Sequence, residues 1–337
     1  MAVETERGPA PPVAGVARSR AWIGVVALLA AVVLAARLLD PQRLPWLRNL
    51  VIVFGSLLVE AMPFIALGAL VSAAIEVFVP ASAFARIGRL PRAMQLPAAA
   101  FSGIAFPVCE CGSVPVARRL VRKGLAPSAA VTFMLAAPIV NPVVIASTAV
   151  AYRGREAFWV MVLGRFGLGL LVAMVVGWVI GARRPEELLR ARGDLEAHEV
   201  EEAEPRWRRF FGHLTGDIVL MARFLILGAL LAAAIQTFVP QSIVDQVADL
   251  PILSLVAMMA LAFLMSLCSE SDAFVAASFV SFGPSSQLAF LVFGPMVDMK
   301  LAALDAGTYS RGFLRATVIT VGATTLVATM WMQVIWG

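Results

Sequence analysis

The chain has 337 residues, of which 60% are hydrophobic and 15% charged, and its formal net charge is +5. Soluble domains carry about a quarter charged residues, so this composition excludes an ordinary soluble enzyme or signalling module. The basic residues lie between apolar runs, which points away from nucleic acid and toward the charge bias that orients membrane proteins.

In chain order, residues 1–20 are rich in Pro and Ala and read as a disordered N-terminal segment. An apolar run at 21–39 follows, read as a retained transmembrane helix. Residues 45–182 and 214–337 then resemble each other. "FIALGALVSAAIEVFVP" (64–80) lies without a gap over "FLILGALLAAAIQTFVP" (224–240), and the same offset puts "CEC" (109–111) on "SES" (269–271). A slightly shorter offset matches Pro138 with Pro295, Asn141 with Asp298 and Tyr152 with Tyr309. Two membrane repeats are therefore expected, joined by a polar cytoplasmic linker over 183–213.

Each repeat holds four hydrophobic units. If every unit spans, the repeats are parallel and the protein has about nine spans. If the motif-bearing unit enters and returns, the repeats are inverted, with about seven full spans and two re-entrant units. The re-entrant arrangement places 19 Lys and Arg inside and 5 outside, against 14 and 10 for nine spans. The positive-inside rule therefore favours it. The expected fold is an all-α polytopic membrane protein, multi-pass in the inner membrane.

The motif "FPVCECGSVP" (106–115) is read as broken backbone, with Pro107, Gly112 and Pro115 as its breakers. Non-helical backbone at membrane depth is tolerated only where protein or a watery cavity receives it. "SLCSESDAF" (266–274) interrupts the second repeat at the matching place. Matched broken elements in two inverted halves are a sequence pointer to a transporter site. Substrate contact is assigned to Cys109, Glu110, Cys111, Asn141, Ser269, Glu270, Ser271 and Asp298. Thiolates select soft ions, so Cys109 and Cys111, with Cys268 nearby, are candidate soft-ion ligands.

Carboxylates are costly in hydrocarbon and usually serve transport or proton relay. Glu110, Glu270 and Asp272 are therefore candidates for proton coupling, with Arg165 and Lys300 as balancing charges. Pro138 and Pro142 straddle Asn141 and, with Pro295, open their helices. Asp298 and Lys300, two apart, are expected on different faces. Glu60 is placed toward a pathway and Glu76 at the interface. Two histidines, His198 and His213, lie in a polar segment, so a histidine metal site or relay is not expected, and no cofactor is implied.

The run "FPVCECGSVPVARRLVRKGLAPSAAVTFMLAAPIVNP" (106–142) resembles the predicted permease family that includes ArsP-type organoarsenical efflux permeases. The elements "SLCSESDAF" and "FGPMVDMK" extend the likeness over roughly residues 45–337. The resemblance implies a bacterial inner-membrane permease whose characterised relatives export trivalent, thiol-seeking organoarsenicals. It implies Cys109 and Cys111 as substrate-contacting residues and arsenic resistance as a role.

The reading is a secondary permease for a small soft solute, not an enzyme. Its partners are the lipid bilayer and that solute, with a homo-oligomer compatible and no nucleic acid. The sequence holds no G-x-x-x-x-G-K-[ST] loop for driving transport with ATP. The alternatives are a membrane thiol redox protein cycling Cys109 and Cys111, and a channel or metal-delivery subunit.

Overall fold

A computed structural model describes residues 45–80, 91–105, 108–180, 205–238 and 250–336, and among these described residues every regular element longer than a turn is a helix, twelve in all. They are α1 (Pro45–Phe78), α2 (Arg92–Ala105), α3 (Glu110–Arg122), α4 (Pro127–Val140), α5 (Pro142–Ala151) and α6 (Phe158–Ile180). Then come α7 (Arg206–Phe238), α8 (Pro251–Met265), α9 (Asp272–Ser278), α10 (Pro284–Phe293), α11 (Met299–Thr308) and α12 (Arg311–Trp336). The segments 1–20 and 21–39 and Pro107 lie outside the described residues. Most of the 183–213 segment also lies outside the described residues, and its last part, from Arg206, is helical as the start of α7.

Helix lengths recur in order. α1 and α7 have 34 and 33 residues, α2 and α8 have 14 and 15, α5 and α11 have 10 each, and α6 and α12 have 23 and 26. Among the described residues, five helical stretches are long and apolar enough to cross a bilayer: Pro45–Phe78, Pro127–Ala151, Phe158–Ile180, Arg206–Thr237 and Arg311–Ile335. On α6, Trp159 and Trp178 are both 66% exposed. Nineteen residues of helix put them about 28 Å apart, close to the thickness of the hydrocarbon core, and Trp favours its two borders. Outward apolar residues such as Val59 and Val334 face the lipid.

Packing shows where the chain turns back. Gly103, near the end of α2, meets Ala137 and Val140 at the end of α4, so these helices point the same way. Ser113, in the first turn of α3, donates to the Met134 carbonyl at 3.0 Å, and the chain re-enters α4 through residues 123–126. Gly124 takes φ +91° in that turn, a conformation glycine adopts without steric cost. α3 therefore runs back along α4, and α2 and α3 form a hairpin whose described end lies at Val108 and Cys109. The second half repeats this. Ser254 and Ser286 share a hydrogen bond of 2.9 Å between the starts of α8 and α10. Gly294 meets Ala262 at their ends. Gln287 Nε2 donates to the Phe279 carbonyl at 3.0 Å, so α9 runs back along α10.

α4 is buried from Ser128 to Val140 and α10 from Ser285 to Phe293, so each forms the core against which a hairpin folds. α1 and α7 pack antiparallel where Ser72 donates to Asp217 at 2.8 Å and the Phe78 and Phe210 rings lie 6.2 Å apart.

Several expected breakers do other work. Gly112 and Pro115 both lie inside α3. Pro115 is the sixth residue of α3, past the amides that a helix start leaves free, so it forfeits one backbone bond while the helix continues through it. Gly112 permits contact instead: its Cα lies against Gly68 of α1, where a side chain on Gly68 would collide with it. Pro138 is also helical, in the last turn of α4, and Pro142 opens α5. Pro295 falls in the turn after α10.

Candidate functional site

The two hairpin ends meet. α3 begins at Glu110, with Cys109 extended before it. α8 ends at Ser266, and Cys268, Ser269, Glu270 and Ser271 lead into α9. Ser269 Oγ donates to Glu110 Oε2 at 2.7 Å, with Glu110 and Ser269 both fully buried. Cys109, Cys111 and Cys268 are free thiols, each at most 2% exposed, and Cys109 and Cys111 share a hydrogen bond. Among the described residues, no group of three His, Cys, Asp or Glu side chains closes on one point tightly enough to hold a metal ion.

Two buried cations approach these ends, each from the opposite half. Arg165, on α6, donates to Asp272 Oδ2 at 2.8 Å, to the Ser269 carbonyl at 3.0 Å and to Thr148 Oγ1 at 2.8 Å. Its partner is thus Asp272 rather than Glu110. Lys300, on α11, lies 3.7 Å from Glu110 Oε1 and 3.7 Å from Asp298 Oδ2. Asp298 and Lys300 do not diverge as expected. Asp298 is extended just before α11 and Lys300 is in its first turn, so the break in the helix folds both toward one point.

The matched pair Asn141 and Asp298 has a shared local function. Each is the N-cap of the helix after a break: Asn141 accepts from the Val143 amide at 3.0 Å, and Asp298 accepts from the Leu301 amide at 2.6 Å. A side-chain oxygen there satisfies an amide that a helix start leaves free. Glu110 and Asp272 stand at the first positions of α3 and α9, where the positive end of the helix dipole favours a carboxylate. The buried acids are tolerated because each begins a half-helix.

Around Ser271 a further group forms. Ser271 Oγ donates to Glu60 Oε1 of α1 at 2.6 Å. Glu270 carries two buried oxygens without a hydrogen-bond donor, and feels the charges of Glu110 and Glu60.

Sequence reasoning missed Ser266, Thr148 and a buried ionic cluster at the far end of α3. Ser266 has φ 49°, strained for a non-glycine residue, and its Oγ accepts from the Met299 amide at 2.9 Å, tying the second hairpin to α11. In the cluster, Arg119 donates to Glu76 at 3.0 Å, to Asp217 at 2.7 Å and to Ser72 at 2.5 Å. Lys123 donates to the Glu76 and Val79 carbonyls at 2.6 Å each, at the end of α1. Glu76 is therefore buried in an ion pair rather than interfacial. Its signal lay in "VARRLVRKG", which looks like a basic loop until folded.

A multi-pass helical membrane protein with a buried polar centre between two hairpins is what these features define. The chain belongs to a family described as predicted permeases, ArsP_1, which it matches over residues 46–334. It is 38% identical over 267 residues to the UPF0718 protein YcgR of Bacillus subtilis (strain 168), covering 78% of this chain and 89% of that protein. It is 32% identical over 266 residues to a Streptococcus mutans (serotype c, strain ATCC 700610 / UA159) protein named "Putative two-component membrane permease complex subunit", covering 78% and 87%. No solved structure matches the chain. Membership makes it a membrane permease, a transporter rather than an enzyme.

Proposed function

We propose that the chain is a secondary permease of two inverted six-helix repeats, which moves a small, thiol-seeking solute past the ends of its two hairpins. The observation that carries this reading is the Ser269–Glu110 hydrogen bond of 2.7 Å, which joins the hairpin ends beside three buried sulfurs. The reversed chain at α2–α3 and α8–α9, and the antiparallel α1 and α7, support inverted repeats with seven full spans and two re-entrant units. Periplasmic labelling of cysteines introduced at 80–95 would overturn that topology.

Glu270, with both oxygens lacking a donor, is the carboxyl assigned to proton exchange as access alternates. The S. mutans relative's name refers to a two-component complex, and a second subunit is accordingly part of this proposal.

The test is uptake into everted vesicles across soft metals, organoarsenicals and oxyanions, with this chain alone and with an added partner. Saturable flux lost in Cys109→Ser, Cys111→Ser or Glu110→Gln is expected. Normal flux in all three variants would remove the site from the pathway.

A further inference from the structure

Lys300 is held differently from every other buried cation near the site. Its Nζ is 3.7 Å from Glu110 Oε1, 3.7 Å from Asp298 Oδ2 and 3.8 Å from Cys268 Sγ. Charge-assisted N–H···O bonds run about 2.7–2.9 Å, so charge rather than bond geometry keeps the ammonium there. Each carboxylate is pinned by its other oxygen, Glu110 Oε2 by Ser269 and Asp298 Oδ1 by the Leu301 amide. The oxygens turned toward Lys300 have no hydrogen-bond donor, although both side chains are fully buried. Two preset acceptors and a sulfur thus surround one compact charge on a flexible stem, which another small cation can replace more readily than a guanidinium fork.

The geometry points to Glu110, Asp298 and Cys268 as a cation cage in the solute path, with the Lys300 ammonium as its tethered occupant. The solute then carries a single positive charge and takes the ammonium's place as the Lys300 stem swings its own charge out of the cage, so the charge within the cage is unchanged. The inference rests on the permease reading and adds a charge to the solute. A chelated metal ion fits poorly, since among the described residues no three His, Cys, Asp or Glu side chains come close enough together to ligate one. A monovalent cation of roughly ammonium size, touched by sulfur on one side, fits the three distances.

A lysine serving only as a sealed staple cannot be replaced from bulk water, and that is the discriminating property. Propylammonium reproduces the lysine side chain beyond Cβ. Thermal unfolding of the purified full chain is followed against propylammonium, with sodium chloride at matched ionic strength as control. On the proposal, Lys300→Ala shows a saturable rise in Tm at about tenfold lower propylammonium than any rise in the wild type. Adding Glu110→Gln abolishes it. A folded Lys300→Ala variant without a saturable shift, or a wild type with the same shift, overturns the cage. If Lys300→Ala does not fold with or without the amine, Lys300→Met/Asp298→Asn replaces it, because Glu110 still faces the vacated point. A saturable shift there supports the cage, and its absence overturns it. No transport is read, so failure here leaves the flux test of the permease standing, and the reverse also holds.

Discussion

The two hairpins share a plan and are fastened at opposite ends. The first is fixed at its base, where Arg119 and Lys123 of α3 bind Glu76, Ser72, Asp217 and the last carbonyls of α1. Its end, at Glu110, meets Lys300 only at 3.7 Å. The second hairpin is fixed at its end, where Arg165 holds Asp272 and the Ser269 carbonyl by direct bonds. The positions that match Glu76 and Arg119 in the second half are Gln236 and Phe279, and the one that matches Asp217 in the first half is Leu57, so the three residues of this cluster have no charged counterparts at those positions. The ionic clamps thus sit at opposite ends, while the first hairpin's end is tied to the second by the 2.7 Å Ser269–Glu110 bond and the second's base is held by Arg155, which donates to the Ala277 carbonyl at 2.8 Å.

This contrast can be broken in graded steps. Arg165→Met leaves Asp272 buried and unpaired, and should cost about 3–5 kcal/mol, read by thermal unfolding. Lys300→Met should cost clearly less. Equal losses would erase the difference between the two ends. Arg119→Met should free the base of the first hairpin at a cost near 3 kcal/mol. It should also speed alkylation of Cys109 and Cys111 by a membrane-impermeant thiol reagent, and unchanged labelling would contradict the clamp. Ser269→Ala removes the bond between the two ends, worth about 1.5–3 kcal/mol for a charged acceptor, and should lower flux more than stability. The smallest effect belongs to the caps. Asn141→Ala should lose about 1 kcal/mol, while Asp298→Asn should keep its cap and alter only the Lys300 side.

Much of this was legible in the sequence because it depends on types and spacing. The class, the two broken motifs and the shared position of Asn141 and Asp298 were readable from residue types and spacing, and both residues stand before a restarting helix. Their role was not readable, since an N-cap depends on where a helix restarts. Pro115 misled because α3 runs on through it, held by packing against α4 and α1 rather than by an unbroken backbone ladder. Asp298 and Lys300 were placed apart by assuming continuous helix at the position where the helix is interrupted. Ser72, Asp217 and Thr148 are single polar residues in apolar helices, and only the fold brings them to Arg119 and Arg165.

The four breaks have one more consequence. α3, α5, α9 and α11 begin where α2, α4, α8 and α10 end, so the interior gathers helix starts and helix finishes in equal number. Starts carry partial positive charge and finishes partial negative charge, and opposed in this way they largely cancel. The backbone then sets no preference for the sign of a visitor, though it offers free amides and carbonyls to any polar one. Any preference of sign at this centre then falls to side chains such as Glu110, Asp298 and Lys300.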